Sequence, residues 1–208
     1  MAHIAVLGLG NWGTAIARLW LLEGHKVTGW TIEQEVYESI TMSETNEKYL
    51  PNHPVPGLDA TMHLSEAVEG AEIVVLAVPS SVILDVMEDV LPHLQPGHVL
   101  LDLAKGLAPG KRLISEAIHT RLKEEGKTNP LAVLTGPTIA PEAAGGVMTT
   151  ALVASEDQAI AQRLAQTLST PSFILHPASD PVGAELWGAY KNVVALACGL
   201  VDGLKQVG

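Results

Sequence analysis

Ile4-Ala5-Val6-Leu7-Gly8-Leu9-Gly10-Asn11-Trp12-Gly13-Thr14-Ala15 is the stretch that decides the fold. Four apolar residues in a row read as a buried strand, and Gly8 ends it. Gly8, Gly10 and Gly13 then make G-x-G-x-x-G, directly after that strand and opening a helix. The helix is predicted over residues 14–23, with Ile16, Leu19, Trp20 and Glu23 on the i, i+3, i+4, i+7 template and Gly24 as its stop. Each glycine has a physical task. The first permits a tight turn, the second lets backbone approach a pyrophosphate, and the third allows close helix–strand packing. The helix N-terminus presents free N–H groups and a partial positive charge to that diphosphate. The context points to a dinucleotide site at Gly8, Gly10, Asn11, Trp12 and Gly13. A Gly-rich turn without a ligand is the alternative.

Outward from there, apolar strand runs alternate with helix stripes. Strands are predicted at residues 26–31, 73–78, 99–103, 131–134, 151–154 and 173–175. Helix stripes run through Ile83, Val86, Met87 and Val90, and through Leu113, Ile114, Ala117, Ile118 and Leu122. Ser155 with Gln158 three positions on reads as a capping box for another helix. The charged stretch from Glu33 to Glu47 shows no clear pattern. This alternation predicts an α/β fold: a Rossmann-like, doubly wound, mostly parallel sheet. From Gly183 onward the chain reads as one long helix, apolar nearly all round, which needs cover on every side. A boundary near Pro181 therefore divides a dinucleotide-binding domain, residues 1–180, from the start of an all-α domain, residues 181–208.

Composition limits the function. The chain has 208 residues, 47% hydrophobic and 17% charged, which suits a sizeable core. Aromatics are only 4%, so aliphatic side chains must fill it. The net charge of −11, with no basic run, argues against nucleic acid and anionic lipid as partners. The single cysteine, Cys198, excludes a disulfide framework and reads as core. Eight scattered His residues without a His-x-x-x-His pair give no helical metal site. The N-terminus has no signal-peptide pattern, and residues 193–201 are too short to span a bilayer, so a cytoplasmic protein is expected.

Several further residues carry chemistry. Glu33 lies 20 positions after Gly13, where the fingerprint places an acid on the adenosine ribose. Glu35 and Glu38 follow, and no Arg stands between Arg18 and Arg112, which favours NAD over NADP. Glutamates on a solvated helix face are the alternative. Lys105, after the strand at 99–103, and Gly136 with Thr138, after the strand at 131–134, belong to one sheet edge, where α/β folds bind ligands. Lys191 has Trp187, Ala195 and Cys198 as helix-face neighbours. Partial burial there would lower its pKa toward the range of proton transfer, whereas a snorkelling surface Lys is the plain alternative.

The chain resembles bacterial-type NAD(P)-dependent glycerol-3-phosphate dehydrogenase. The resemblance rests on the Trp-containing Gly loop, Asn46-Glu47-Lys48-Tyr49-Leu50-Pro51, Ala71 to Ser80, Lys105-Gly106-Leu107, Gly136-Pro137-Thr138-Ile139-Ala140-Pro141-Glu142, and Glu185-Leu186-Trp187-Gly188-Ala189-Tyr190-Lys191-Asn192-Val193. It implies reversible hydride transfer between NAD(P)H and dihydroxyacetone phosphate, giving sn-glycerol 3-phosphate for phospholipid synthesis. It also implies that Lys191 is the proton donor and acceptor at the C2 oxygen. By the same resemblance Lys105 touches substrate and cofactor, Gly136 and Thr138 belong to the substrate loop, Ala140 contacts the cofactor, and Asn192 is a supporting amide.

Thr138-Ile139 stands where the family usually shows Ser-Phe, and Ile32-Glu33 where it often carries Arg. The family continues into a helical domain whose Asp and Arg-Asn pair grip the substrate phosphate, whereas this sequence stops at Gly208. A chain truncated within that domain, without the clamp, is expected to be a cofactor-binding fragment if it does not turn over. The apolar face around Leu196, Leu200 and Val201 is expected to pack on the first domain or on a second chain as a homodimer, or to promote aggregation.

Overall fold

A computed structural model describes residues 1–207, except the side chains of residues 192, 206 and 207. Strand β1 (His3–Leu7) is followed by α1 (Asn11–Leu22), β2 (Lys26–Trp30), α2 (Gln34–Ser43), β3 (Asp59–Thr61) and α3 (Leu64–Val68). Next come β4 (Ile73–Leu76), α4 (Ile83–Val90), β5 (Val99–Asp102), α5 (Ile114–Glu124), β6 (Leu131–Thr135) and α6 (Ala140–Ala144). The chain then runs through β7 (Thr149–Ala154), α7 (Gln158–Leu168), β8 (Phe173–Ala178) and the long α8 (Pro181–Val207). One eight-stranded sheet has the order β3-β2-β1-β4-β5-β6-β7-β8. Its first six strands are parallel, in the Rossmann order 3-2-1-4-5-6. The order reverses between β1 and β4, where Leu7 pairs Leu76, so Gly8 and Ala77 leave the sheet side by side.

Alternation along the strands explains why their apolar runs are unbroken. Ile4 and Val6 join Ile16 and Trp20 of α1 and Leu164 of α7 on one face. Ala5 and Leu7 join Ile83 and Met87 of α4 and Ile118 of α5 on the other. A parallel strand covered on both faces is apolar along most of its length, with Thr28 in β2 and Asp102 at the end of β5 as buried polar exceptions. Trp20 reaches across its layer, and its indole N–H donates to the Leu168 carbonyl at 3.1 Å.

β7 pairs antiparallel with β6, and β8 runs parallel to β7. This reversal starts α8 beside the N-terminal end of β6, where Pro181 and Val182 share a cleft with Leu131 and Val133. The helix then rises alongside β6. At its far end Gly188 lies so close to Thr135 that an added Cβ would come within 2.6 Å of the hydroxyl. Buried Glu185 pins the helix to α5. Its carboxylate accepts from the Ile114 N–H, from the Ser115 N–H at 3.3 Å and from the Ser115 hydroxyl. It thereby caps an α5 N-terminus that has no side-chain cap of its own.

The unpatterned charged stretch contains α2, which buries only Val36 and Ile40. Three sequence expectations need correction. Ser155 is not a helix cap. It is buried, and its hydroxyl donates to the Leu131 carbonyl at 2.8 Å, while Asp157 caps α7 by accepting from the Ala159 N–H. Cys198 is exposed, because the latter half of α8 extends past everything it could pack on. For the same reason Leu196 and Leu200, 69% and 68% exposed, do not pack on the first domain.

Candidate active site

The glycine turn works by two opposite constraints. Gly8 has φ +109°, and a Cβ there would come within 2.8 Å of the Ala77 carbonyl oxygen. A Cβ on Gly13 would lie 1.9 Å from the Gly8 oxygen. These two glycines let the turn exist. A Cβ on Gly10 would meet nothing within 4 Å, and Gly10 faces a cleft. Its missing side chain leaves the space that a diphosphate would fill. The α1 N-terminus behind it has no side-chain cap and no acid in its first turn, so its first N–H groups and dipole face that space. The residues present therefore fit a dinucleotide.

Fully buried Asn46 fixes the turn from outside. Its amide donates to the Leu9 carbonyl at 2.9 Å and to the Thr14 hydroxyl oxygen at 2.8 Å. The Thr14 hydroxyl itself donates to the same carbonyl at 3.1 Å. Sequence reading placed Asn46 in a motif but gave it no task.

The cleft, about 400 Å³, gathers Gly10, Asn11, Trp12, Lys105, Thr138 and Ala140, all predicted site residues. Trp12 stands edge-on to Phe173, ring centroids 6.0 Å apart, which fixes one wall. The Lys105 ammonium donates to the Thr138 hydroxyl oxygen over a long 3.4 Å. Lys105 is exposed as a residue, but the walls desolvate its ammonium. Desolvation first, and then the like charge of Lys191, lower its pKa. Asp102 ends β5 three residues earlier, fully buried. One of its oxygens accepts from the Ala104 N–H at 2.9 Å, and the other has no partner. Burial and, more weakly, the charge of Glu185 push its carboxyl up to about 8.

Beyond the turn after β6 lies a second hollow of about 450 Å³, where Gly136 meets Lys191. A Cβ on Gly136 would come within 2.9 Å of the Ala151 Cα, so the crossing to β7 requires glycine. The segment 135–138 is thus a shared wall, with Thr138 on the cleft and Gly136 on the hollow. Lys191 is half-buried there. The apolar neighbours expected to enclose it do not, since Trp187 is 72% exposed and Cys198 is exposed. His176, which the sequence did not single out, joins the hollow. The Asn192 side chain lies outside the described residues.

Glu33 does not line the cleft. It precedes α2 as its N-cap, at the end of the loop that follows β2. One carboxylate oxygen accepts from Lys48 Nζ at 2.5 Å, and the other accepts from the Tyr49 hydroxyl at 2.8 Å. Lys48 also pairs with Glu35. Lys48 and then Tyr49 hold the Glu33 carboxyl below the usual carboxylate range, and the two glutamates raise the Lys48 ammonium. Among the described residues no group of three His, Cys, Asp or Glu could hold a metal, and no helix is long and apolar enough to cross a membrane.

The family model for the NAD-dependent glycerol-3-phosphate dehydrogenase N-terminus matches residues 3–161, and the model for its C-terminus matches residues 180–208. The glycerol-3-phosphate dehydrogenase [NAD(P)+] of Rhodospirillum rubrum is 41% identical over 204 residues, covering 97% of this chain and 57% of that protein. Its namesake from Syntrophotalea carbinolica is 40% identical, covering 97% and 61%. The crystal structure of glycerol-3-phosphate dehydrogenase from Coxiella burnetii superposes with a TM-score of 0.89 at 34% identity, covering 99% of this chain and 62% of that one. The chain thus spans about three-fifths of the length of these relatives. On the strength of the matched family model and of relatives this similar, the chain belongs to the NAD-dependent glycerol-3-phosphate dehydrogenase family.

Proposed function

We propose that this chain transfers a hydride between NAD(P)H and dihydroxyacetone phosphate, forming sn-glycerol 3-phosphate, with NAD preferred over NADP. The single observation that carries the reading is the cleft at the C-terminal edge of the parallel strands, where the uncapped α1 N-terminus faces Lys105 and Thr138. The nicotinamide, when bound, supplies the hydride. Gly10, Asn11 and Trp12 seat the cofactor, with Gly8 and Gly13 shaping the turn, and Ala140 adds a further contact. Lys105 and Thr138 orient the substrate from one side of the shared wall, and Gly136 and Asn192 do so from the other. Lys191 delivers a proton to the developing alkoxide on the C2 oxygen. Holding both reactants in line supplies most of the advantage, and proton transfer adds to it.

In this reading residues 1–180 bind the cofactor, and α8 opens a substrate domain. A cytoplasmic location and supply of phospholipid precursor go with it. The test is NADH consumption with dihydroxyacetone phosphate, followed by absorbance, for the chain and for Lys191→Ala. Turnover by the chain, lost in Lys191→Ala while NADH binding persists, is the expected result. NADH binding without any turnover by the unaltered chain would make it a cofactor-binding module instead.

A further inference from the structure

The cation beside Glu33 changes how the adenosine end of this site should behave. Sequence reading sees three acids after β2 and no Arg, and concludes that a 2′-phosphate is unwelcome. The folded chain brings Lys48 across from 15 residues away to touch both Glu33 and Glu35. Tyr49 occupies the remaining oxygen of Glu33. Two carboxylates therefore meet one ammonium, and the local charge falls from −2 to −1.

A carboxylate has about four lone-pair sites, and Lys48 and Tyr49 engage two of those on Glu33. Glu33 can accept a ribose hydroxyl without releasing either neighbour. A 2′-phosphate, at about −1.5 to −2 charges, has no such option. It needs a donor, and it needs the carboxylate charge offset. Lys48 lies on a flexible four-carbon stem, and 40% of its side chain is exposed, so it can turn from the glutamates to a phosphate without unpacking anything.

We propose that Lys48 is the specificity-determining residue for the coenzyme. Paired with Glu33 it leaves the site ready for the ribose diol of NADH, and swung away it supplies the cation that admits the 2′-phosphate of NADPH. This rests on the reading that the cleft holds a nicotinamide dinucleotide.

Calorimetric titration of the full chain with NADH and with NADPH tests it, independently of turnover. In Lys48→Met, the NADPH dissociation constant should rise about tenfold or more, and that of NADH by less than about threefold. Lys48→Arg keeps the charge and should retain NADPH binding. Glu33→Gln removes one of the two carboxylates that hold Lys48 and should tighten NADPH while weakening NADH. Thermal melts of each variant exclude misfolding. Equal shifts for the two coenzymes in Lys48→Met, or no NADPH binding by the unaltered chain when NADH binds, overturn the role of Lys48 alone. Failure of the unaltered chain to bind either coenzyme overturns this role and the cofactor site together.

Discussion

Gly10 and Gly13 are three positions apart, yet their α-hydrogens face opposite surroundings. Gly13→Ala drives a methyl into the Gly8 carbonyl and should cost about 2–3 kcal/mol or more, read from the urea midpoint. Gly10→Ser adds a good helix cap in open space, so stability should hold or rise by a few tenths of a kcal/mol. Its side chain should nonetheless occupy the cleft and weaken NADH binding about tenfold or more. Asp102 makes a prediction of opposite kind. Its folded pKa of about 8 exceeds its ordinary 3.8, so the folded chain holds an extra proton between those values. Its stabilising contribution is full below about pH 4 and is lost as pH rises to about 8, at no more than about 1.4 kcal/mol per pH unit. His3 and His98, both depressed by burial, act in the reverse sense, so the measurement compares unfolding of the chain with that of Asp102→Asn across this range. The variant should lack the downward slope. Residues with a local signature were legible in the sequence. The glycines announce themselves by spacing, and Lys105 and Thr138 by following strands that share an edge. Lys48 and Tyr49 were not legible as partners of Glu33, because a loop folds them back from 15 and 16 positions away.

Elements were legible where burial forces a pattern. β4 is apolar throughout, and β5 is apolar up to Asp102 at its end, because helices cover both faces. α2 escaped because two buried residues, Val36 and Ile40, suffice to seat it, and β3 because three residues at a sheet edge carry no period. The capping signal at Ser155 failed because Ser, Asp, Asn and Thr all cap. Here the strand's burial claimed the serine and left the helix to Asp157. Direction was not legible either. Nothing local in β7 says that it runs against β6. The α5–α8 joint follows from one side chain. Glu185→Ala strips the α5 N-terminus of its acceptor and leaves buried N–H groups at Ile114 and Ser115 unpaired. The cost should be about 2–3 kcal/mol, with hydrogen exchange accelerated in the first turns of α8.

At the scale of the whole molecule, α8 leaves Leu196, Leu200 and Leu204 at 68–73% exposure on a chain with few aromatics and a net charge of −11. Apolar surface of this extent drives association. We expect the 208-residue chain to sediment as concentration-dependent oligomers, and Leu196→Glu/Leu200→Glu to sediment as a monomer with an unaltered melting temperature, since those side chains touch no core. The reversed direction of β7 and β8 has a consequence of its own. It makes α8 climb from the N-terminal end of β6 toward the ligand edge. The eleven residues from Pro181 to Lys191 rise about 16 Å as helix, and the five residues of β6 extend about 16 Å as strand. The helix therefore acts as a measuring rod, with no slack between its foot and its tip. One residue inserted between Glu185 and Lys191 would swing the lysine about 100° off the hollow, whereas an insertion in an exposed turn would be absorbed.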